Sequence, residues 1–143
     1  MRALLDVNVL LALFDPDHVD HRAAQAFATG LDDGWASCPL TQNGFLRIVS
    51  QPRYPSPVPV AEAAARLAEA AADGGHEFWP DDVSLLDRTL IERRVLLGSR
   101  QITDAYLLAL ATRRGGRLVT FDQGISLAAV TGATEANLAV VPT

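Results

Sequence analysis

LLDVNVLLALF, residues 4–14, places a single aspartate inside an apolar run at the point where a strand passes into a helix. The pattern predicts a short buried strand over residues 2–6 and a helix over roughly residues 8–14. A carboxylate between two buried elements costs free energy unless hydrogen bonds or an opposite charge compensate it. Asp6 therefore marks the end of this strand as a candidate functional position.

Short apolar strands alternate with helices along the rest of the chain. The sequence predicts further strands at 34–38, 76–79, 117–121 and 138–142, and helices at 19–31, 39–50, 60–73, 84–93 and 102–114. We expect Thr41 to cap the helix that begins at 39. The proline-rich stretch 51–60 is predicted to be a loop within one domain. This alternation predicts an α/β fold with a mostly parallel sheet and helices on both of its faces.

The composition is that of one globular domain. The chain has 143 residues, of which 49% are hydrophobic and 20% charged, and this is enough to bury a core. Its single cysteine, Cys38, excludes an internal disulfide and favours a reducing compartment. No apolar run reaches the roughly 18 residues of a membrane span, and the first residues lack a signal-peptide pattern. We therefore expect a cytoplasmic protein without membrane association.

The charge balance bears on whether the partner is a nucleic acid. The formal net charge is −5, whereas basic surfaces supply most of the affinity for nucleic acids. All twelve basic residues are arginines, however, and the guanidinium group binds phosphate well. An acidic cluster that binds cations does not repel phosphate, so the charge balance does not exclude a nucleic-acid substrate.

Two more aspartates occupy positions comparable to that of Asp6. Asp122 comes directly after the strand predicted at 117–121, so in a parallel sheet it lies at the same edge as Asp6. Asp104 lies on the apolar stripe of the helix predicted at 102–114, close to the beginning of that helix. We therefore expect three carboxylates at one edge of the sheet.

Three carboxylates at one edge repel one another, and a divalent cation removes that repulsion. Because the ligands are all oxygen atoms, Mg²⁺ or Mn²⁺ is the expected ion. A structural explanation remains open for each residue taken alone. Asp6 could cap the helix that follows it, Asp104 could stabilise its helix dipole, and Asp122 could form an Asx turn.

Taken in order, these motifs resemble the PIN-domain ribonucleases, and most closely the toxin subunits of bacterial VapBC toxin–antitoxin pairs. The resemblance rests on LLDVNVLLALF with Asp6, ITDAYLLALA with Asp104 and LVTFDQGI with Asp122, and it spans essentially the whole chain. It implies a single PIN domain over residues 1–143, with a three-layer α/β/α fold and a central, mostly parallel five-stranded sheet.

The resemblance also implies an activity and partners. It indicates a metal-dependent endoribonuclease that uses Mg²⁺ or Mn²⁺ to cleave structured RNA, such as tRNA or rRNA. It further implies a cognate antitoxin protein and a homodimer. Three aspartates are the implied metal ligands, and the implied catalytic set is Asp6, Asn8, Gln42, Asp104, Thr120 and Asp122.

Gln42 departs from the family pattern, because an acidic residue usually stands in this helix. A glutamine offers a carbonyl oxygen to a metal-bound water, but it adds no charge and cannot act as a base. We therefore expect Gln42 to position water or substrate. The alternative function is a catalytically weakened PIN-like module that binds RNA or antitoxin.

Other sequence features support competing interpretations less well. His18 and His21 in DHVDH have a zinc-ligand spacing but no third ligand nearby, and a helix start capped by Asp17 or Asp20 explains them. An aspartyl-phosphate phosphatase needs a second aspartate where Asn8 stands, and a lysine, which the chain lacks. The candidates for RNA contact, each also explained as solvated surface, are Arg47, Arg53, Arg93, Arg94 and Arg100.

Overall fold

Five short strands form the central sheet: β1 is Ala3–Leu5, β2 is Trp35–Ser37, β3 is His76–Phe78, β4 is Arg117–Thr120 and β5 is Leu138–Val140. In this computed structural model, which describes residues 1–143, they lie in the order β3-β2-β1-β4-β5. All four pairings between neighbouring strands are parallel. The predicted five-stranded sheet is confirmed, and β1 and β4 are direct neighbours in it.

Five α-helices cover the two faces of the sheet: α1 is Val7–Phe14, α2 is His21–Thr29, α3 is Pro39–Val49, α4 is Val60–Ala72 and α5 is Gln101–Arg113. Helices α1 to α4 pack on one face through a cluster that includes Leu10, Phe45 and Leu67. Helix α5 packs on the other face through Leu107 and Leu108. The predicted three-layer α/β/α arrangement is therefore confirmed. None of the helices combines the length and apolar character that crossing a membrane requires.

The central strand β1 decides where Asp6 points. Leu4 belongs to the apolar cluster beneath α5, whereas Ala3 and Leu5 belong to the cluster beneath the other four helices. Successive side chains along extended backbone alternate between the faces of a sheet. Asp6 has extended backbone angles and follows Leu4 by two residues, so its carboxylate lies on the side of the sheet that α5 covers.

The helix predicted over 84–93 is wrong. This segment forms turns, and Ile91 pairs with Val130 in an antiparallel bridge before a short 3-10 turn at Arg93–Val95. Asp87 Oδ1 accepts hydrogen bonds from both the backbone N–H and the hydroxyl of Thr89. Such local bonds compete with the helical ladder, and pairing with a distant segment satisfies the backbone instead.

The expected role of Thr41 also needs correction. Cys38, not Thr41, occupies the N-cap of α3, because Pro39 takes the first helical position, which proline favours. Thr41 is the third residue of the helix and is fully buried. Its Oγ1 accepts a hydrogen bond from Cys38 N–H at 3.0 Å, so it supports the helix start from inside.

Candidate active site at the ends of β1 and β4

Asp6 is a buried carboxylate with a hydrogen bond on each oxygen. It is 7% exposed and forms the N-cap of α1, where Oδ1 accepts from Val7 N–H at 2.7 Å. Its Oδ2 accepts from Thr120 Oγ1, also at 2.7 Å. Burial raises the pKa of Asp6 above its ordinary value, and the two hydrogen bonds counteract part of this rise. The capping role and a functional role are therefore compatible.

The hydroxyl group of Thr120 connects the ends of β1 and β4, and its full hydrogen-bonding capacity is satisfied. Besides donating to Asp6, its Oγ1 accepts from Asn8 Nδ2 at 3.2 Å and from Asp122 N–H at 3.1 Å. A hydroxyl has one hydrogen to donate and two lone pairs to accept with. Because both lone pairs are occupied, the hydroxyl hydrogen is directed at Asp6, and Asp6 Oδ2 is held as an acceptor.

Asn8 fixes the geometry of this junction from the first turn of α1. Its Nδ2 donates to Thr120, and its Oδ1 accepts from Phe121 N–H at 3.3 Å. Both ends of the amide are therefore engaged with the residues that lie between β4 and Asp122. Asn8 holds the beginning of α1 against the end of β4.

Asp122 is exposed and forms the Asx turn that the sequence allowed. Its Oδ1 accepts from Gly124 N–H at 2.7 Å, while its own N–H is bonded to Thr120. These two bonds set where the carboxylate stands at the edge of the sheet. The structural explanation for this aspartate is therefore correct, and its negative charge also raises the pKa of both other aspartates.

Asp104 lies in the first turn of α5, and both other carboxylates affect its pKa. Desolvation by burial, then the negative charges of Asp6 and Asp122, raise its pKa to about 6. Burial is the largest cause of this rise, and the contributions of Asp6 and Asp122 mean that the three carboxylates lie within electrostatic range of one another. The structure thus brings together the three aspartates that the sequence placed at one edge.

The donor set suits a hard divalent cation, since all three groups offer carboxylate oxygens. The three aspartates are nevertheless not close enough to form a complete shared ligand set, and no other group of three His, Cys, Asp or Glu side chains does so. A cation here could be held by some of the carboxylates directly and by the others through water, as Mg²⁺, which retains several waters, usually is. The pair His18 and His21 forms no metal site either.

Gln42 is the one predicted site residue that the structure does not join to this cluster. Its Nε2 donates to Ser37 Oγ at 2.9 Å, and Ser37 Oγ is in turn hydrogen-bonded to His76 Nε2 at 2.8 Å. Gln42 also lines a groove of about 190 Å³ with side chains of α4, including Leu67. Its contacts connect α3 to β2 and β3.

Two polar contacts outside this cluster were not anticipated from the sequence. Asp81 Oδ2 accepts from Leu40 N–H at 3.1 Å and so caps the beginning of α3. Asp81 follows β3 at the same edge of the sheet, so the rule that singled out Asp6 could have found it. Buried Asp15 accepts a 2.6 Å bond from Tyr54 Oη and ties the proline-rich loop to the end of α1. No local pattern indicates this second pairing.

The sequence matches the family described as PIN domain over residues 3–130. Among curated proteins, "Ribonuclease VapC44" of Mycobacterium tuberculosis is 60% identical over 142 residues, which is 99% of this chain and 100% of that protein. "Ribonuclease VapC38" of the same species is 48% identical over 125 residues, 86% of each chain. Both relatives are named as ribonucleases.

Two solved structures share the fold. The M. tuberculosis sarcin–ricin loop cleaving toxin VapC20 superposes with a TM-score of 0.61 at 12% identity, covering 85% of this chain and 91% of that chain. VapBC2 of Rickettsia felis, bound to a DNA fragment from its promoter, has a TM-score of 0.52 at 12% identity, covering 85% and 89%. At this identity the likeness concerns the fold alone.

Proposed function

The chain belongs to the PIN-domain family, among the VapC toxins, and on that premise we propose that it is a metal-dependent endoribonuclease. The proposed site consists of Asp6, Asp104 and Asp122, with Asn8 and Thr120 as positioning residues. The observation that carries the proposal is that three carboxylates meet where β1 and β4 end and α5 begins. Burial, and then the charges of Asp6 and Asp122, raise the pKa of Asp104 there to about 6. A cluster of mutually repelling carboxylates at the carboxyl end of a parallel sheet is typical of a cation-dependent active site.

In the proposed mechanism the three aspartates would hold Mg²⁺ or Mn²⁺, in part through water. The ion would supply a water of lowered pKa and positive charge against the phosphate. Thr120 donates to Asp6 and so favours its ionised form, which is the form that binds a cation. Asn8 and the turn at Gly124 keep the end of β4 fixed, so that Asp122 stays aimed at the same space.

Gln42 has a positioning role in this proposal. Its bond to Ser37 joins the first turns of α3 to β2, and no hydrogen bond connects it to an aspartate. The loss of a carboxylate at this position therefore leaves the three-aspartate cluster intact. The alternative of a catalytically weakened binding module depends on Gln42 alone, and no contact in the structure favours it.

The substrate and partners are proposed from the relatives. VapC20 is named as a sarcin–ricin loop cleaving toxin, and the R. felis structure is named as VapBC2. We expect this chain to cleave a structured RNA such as tRNA or rRNA, to act as a homodimer, and to be held inactive by a cognate antitoxin. Electrostatics favours an antitoxin segment that presents an arginine or lysine to the acidic cluster.

The test is cleavage of total bacterial RNA by the purified protein in Mg²⁺, in Mn²⁺ and in EDTA, beside the Asp6→Asn variant. We expect discrete products that require the metal and disappear in the variant. If folded wild-type protein yields no cleavage with either metal, the proposed activity is wrong. Cleavage that persists in EDTA would instead contradict the metal dependence.

A further inference from the structure

A basic segment lies next to the proposed active site in an otherwise acidic protein. Residues 88–100 hold four of the twelve arginines but only one of the seventeen acidic residues, whereas the chain as a whole has a net charge of −5. The single acid, Glu92, is bound by Arg94 through two nitrogen–oxygen contacts of 3.0 and 3.2 Å. Arg88, Arg93 and Arg100 are exposed and form no ion pair.

The backbone presents these arginines from a fixed position. Leu90 and Ile91 are buried in the apolar cluster beneath α5. Their backbone is bonded to the segment before β5, through Thr131 N–H to Leu90 O at 2.7 Å and Glu92 N–H to Ala129 O at 3.0 Å. Because the backbone is held on both sides of Ile91, little backbone conformational entropy is lost when a ligand binds the flanking arginines.

A continuous surface leads from these arginines to the catalytic carboxylates. Asp104 and Leu96 line the same depression at the beginning of α5. Leu96 and Arg93 line the next depression, of about 500 Å³. Arg93 and Arg88 then line a third, of about 310 Å³. Each depression shares one lining residue with its neighbour, and the one at Asp104 is the smallest. Asp104, Leu96, Arg93 and Arg88 therefore follow one another along this surface, which we call the track.

The middle of the track also has an apolar character. Leu97, which is 87% exposed, and Ile102, which is 47% exposed, line the depression between Leu96 and Arg93. Exposed apolar side chains beside free guanidinium groups match a ligand with flat apolar bases and a repeating negative charge. The charge complementarity favours a single-stranded segment of RNA over an acidic or neutral protein surface.

We propose that Arg88 and Arg93 bind backbone phosphates of the RNA substrate and lead the strand along Leu96 to the aspartates. This inference rests on the proposed nuclease function and names the surface that binds its substrate. The arginines contribute affinity and register, while the bond cleavage itself takes place at Asp104 and its neighbours. Both arginines are therefore binding residues outside the reacting centre.

The test compares an Arg88→Gln/Arg93→Gln protein with a control, Arg22→Gln/Arg66→Gln. The control removes the same charge from two exposed arginines of α2 and α4, in the helical layer on the other face of the sheet. Binding of a fluorescein-labelled single-stranded RNA is followed by anisotropy at several salt concentrations in EDTA. We expect about tenfold weaker binding and a salt slope lower by about 1.4 for the first protein, because two phosphate contacts to a single strand are lost.

The control should change affinity less than about twofold. Equal affinity and equal salt slope in the two double variants would overturn the proposal. So would a change in oligomeric state without a change in RNA affinity, since the track would then contact a second copy. In Mg²⁺ the first protein should show a higher KM with an unchanged rate at saturating RNA. If the wild-type protein binds RNA but does not cleave it, the proposed nuclease function is wrong, and the proposal that the track binds RNA still holds.

Discussion

Thr120 Oγ1 donates a 2.7 Å hydrogen bond to Asp6 Oδ2 while accepting from both Asn8 and the backbone of Asp122. One buried hydroxyl therefore ties the ends of two neighbouring parallel strands into a single carboxylate site. Its position follows from the pairing of β1 with β4, in which Leu5 faces Val119. The next residue after Leu5 is Asp6 and the next after Val119 is Thr120, so the two polar side chains lie at the same edge of the sheet.

Replacing Thr120 by valine keeps the shape of the side chain and removes all three hydrogen bonds. We expect Thr120→Val to lower the free energy of unfolding by about 2–3 kcal/mol, because buried polar groups lose their partners. Cleavage should fall by at least about tenfold, with weaker Mn²⁺ binding, because Asp6 is no longer held. Thr120→Ser keeps the hydroxyl and should restore the stability, the cleavage and the Mn²⁺ binding. A valine variant with wild-type Mn²⁺ affinity would refute the positioning role.

The raised pKa of Asp104 predicts a pH-dependent effect on stability in the metal-free protein. A folded-state pKa of about 6, above that of the unfolded chain, means that the folded protein is stabilised by protonation as the pH falls from 7 to 5. Asp104→Asn removes the repulsion permanently. Since Asp104 is partly open to solvent, screening limits the gain to about 1 kcal/mol, or about 3 °C in Tm at pH 7.

The measurement is the difference in Tm between Asp104→Asn and wild type in EDTA, at pH 7 and at pH 5. The difference is needed because the lowered pKa of His76 acts in the opposite direction, with stability lost as the pH falls below about 6.5. We expect the gain of the variant to shrink at pH 5 and to reverse when Mg²⁺ is added at pH 7. A gain that is independent of pH would show that charge repulsion is not its cause.

The contacts of Gln42 predict that restoring a carboxylate there does not strengthen metal binding. In Gln42→Glu the new side chain can only accept, so Ser37 Oγ donates its one hydrogen to it and can only accept from His76 Nε2. The added negative charge should raise the pKa of His76, which is measured by NMR titration. Mn²⁺ affinity should change by less than about twofold. A tenfold gain would mean that this side chain reaches the aspartates.

The bond between Tyr54 and Asp15 should matter for stability and not for the chemistry. Tyr54→Phe leaves a buried carboxylate without its partner and should lower the free energy of unfolding by about 1–2 kcal/mol. Tyr106→Phe is the matched control, because the Tyr106 hydroxyl is buried without a hydrogen-bond partner, and it should be nearly neutral. Urea unfolding of the two variants measures these changes in the free energy of unfolding. Equal losses would show that the Asp15 bond contributes nothing.

The three aspartates illustrate what the sequence could predict. Parallel strands end at one edge, so the positions of Asp6 and Asp122 follow from the strand pattern, and the apolar stripe of α5 turns Asp104 inward. The order of the strands, which makes β1 and β4 neighbours, is a long-range property. The residue pattern alone left it open, and the family resemblance implied only a mostly parallel five-stranded sheet.

Where the predictions were wrong, non-local contacts decided the structure. Residues 84–93 carry a helical pattern, yet Ile91 pairs with Val130, which is distant in sequence. The direction in which Gln42 points depends on Ser37 and on the packing of α3 against α4. Neither contact leaves a periodic signal in the sequence, so neither could be predicted from it.

The central claim, that three aspartates form one metal site, is tested most directly by Mn²⁺ binding measured with electron paramagnetic resonance. The comparison takes wild type, the Asp→Asn variants at 6, 104 and 122, and Asp32→Asn as a control that removes one exposed charge elsewhere. We predict that each of the three site variants binds Mn²⁺ at least about tenfold more weakly, while the control binds as wild type does. Wild-type affinity in all three site variants would contradict the claim.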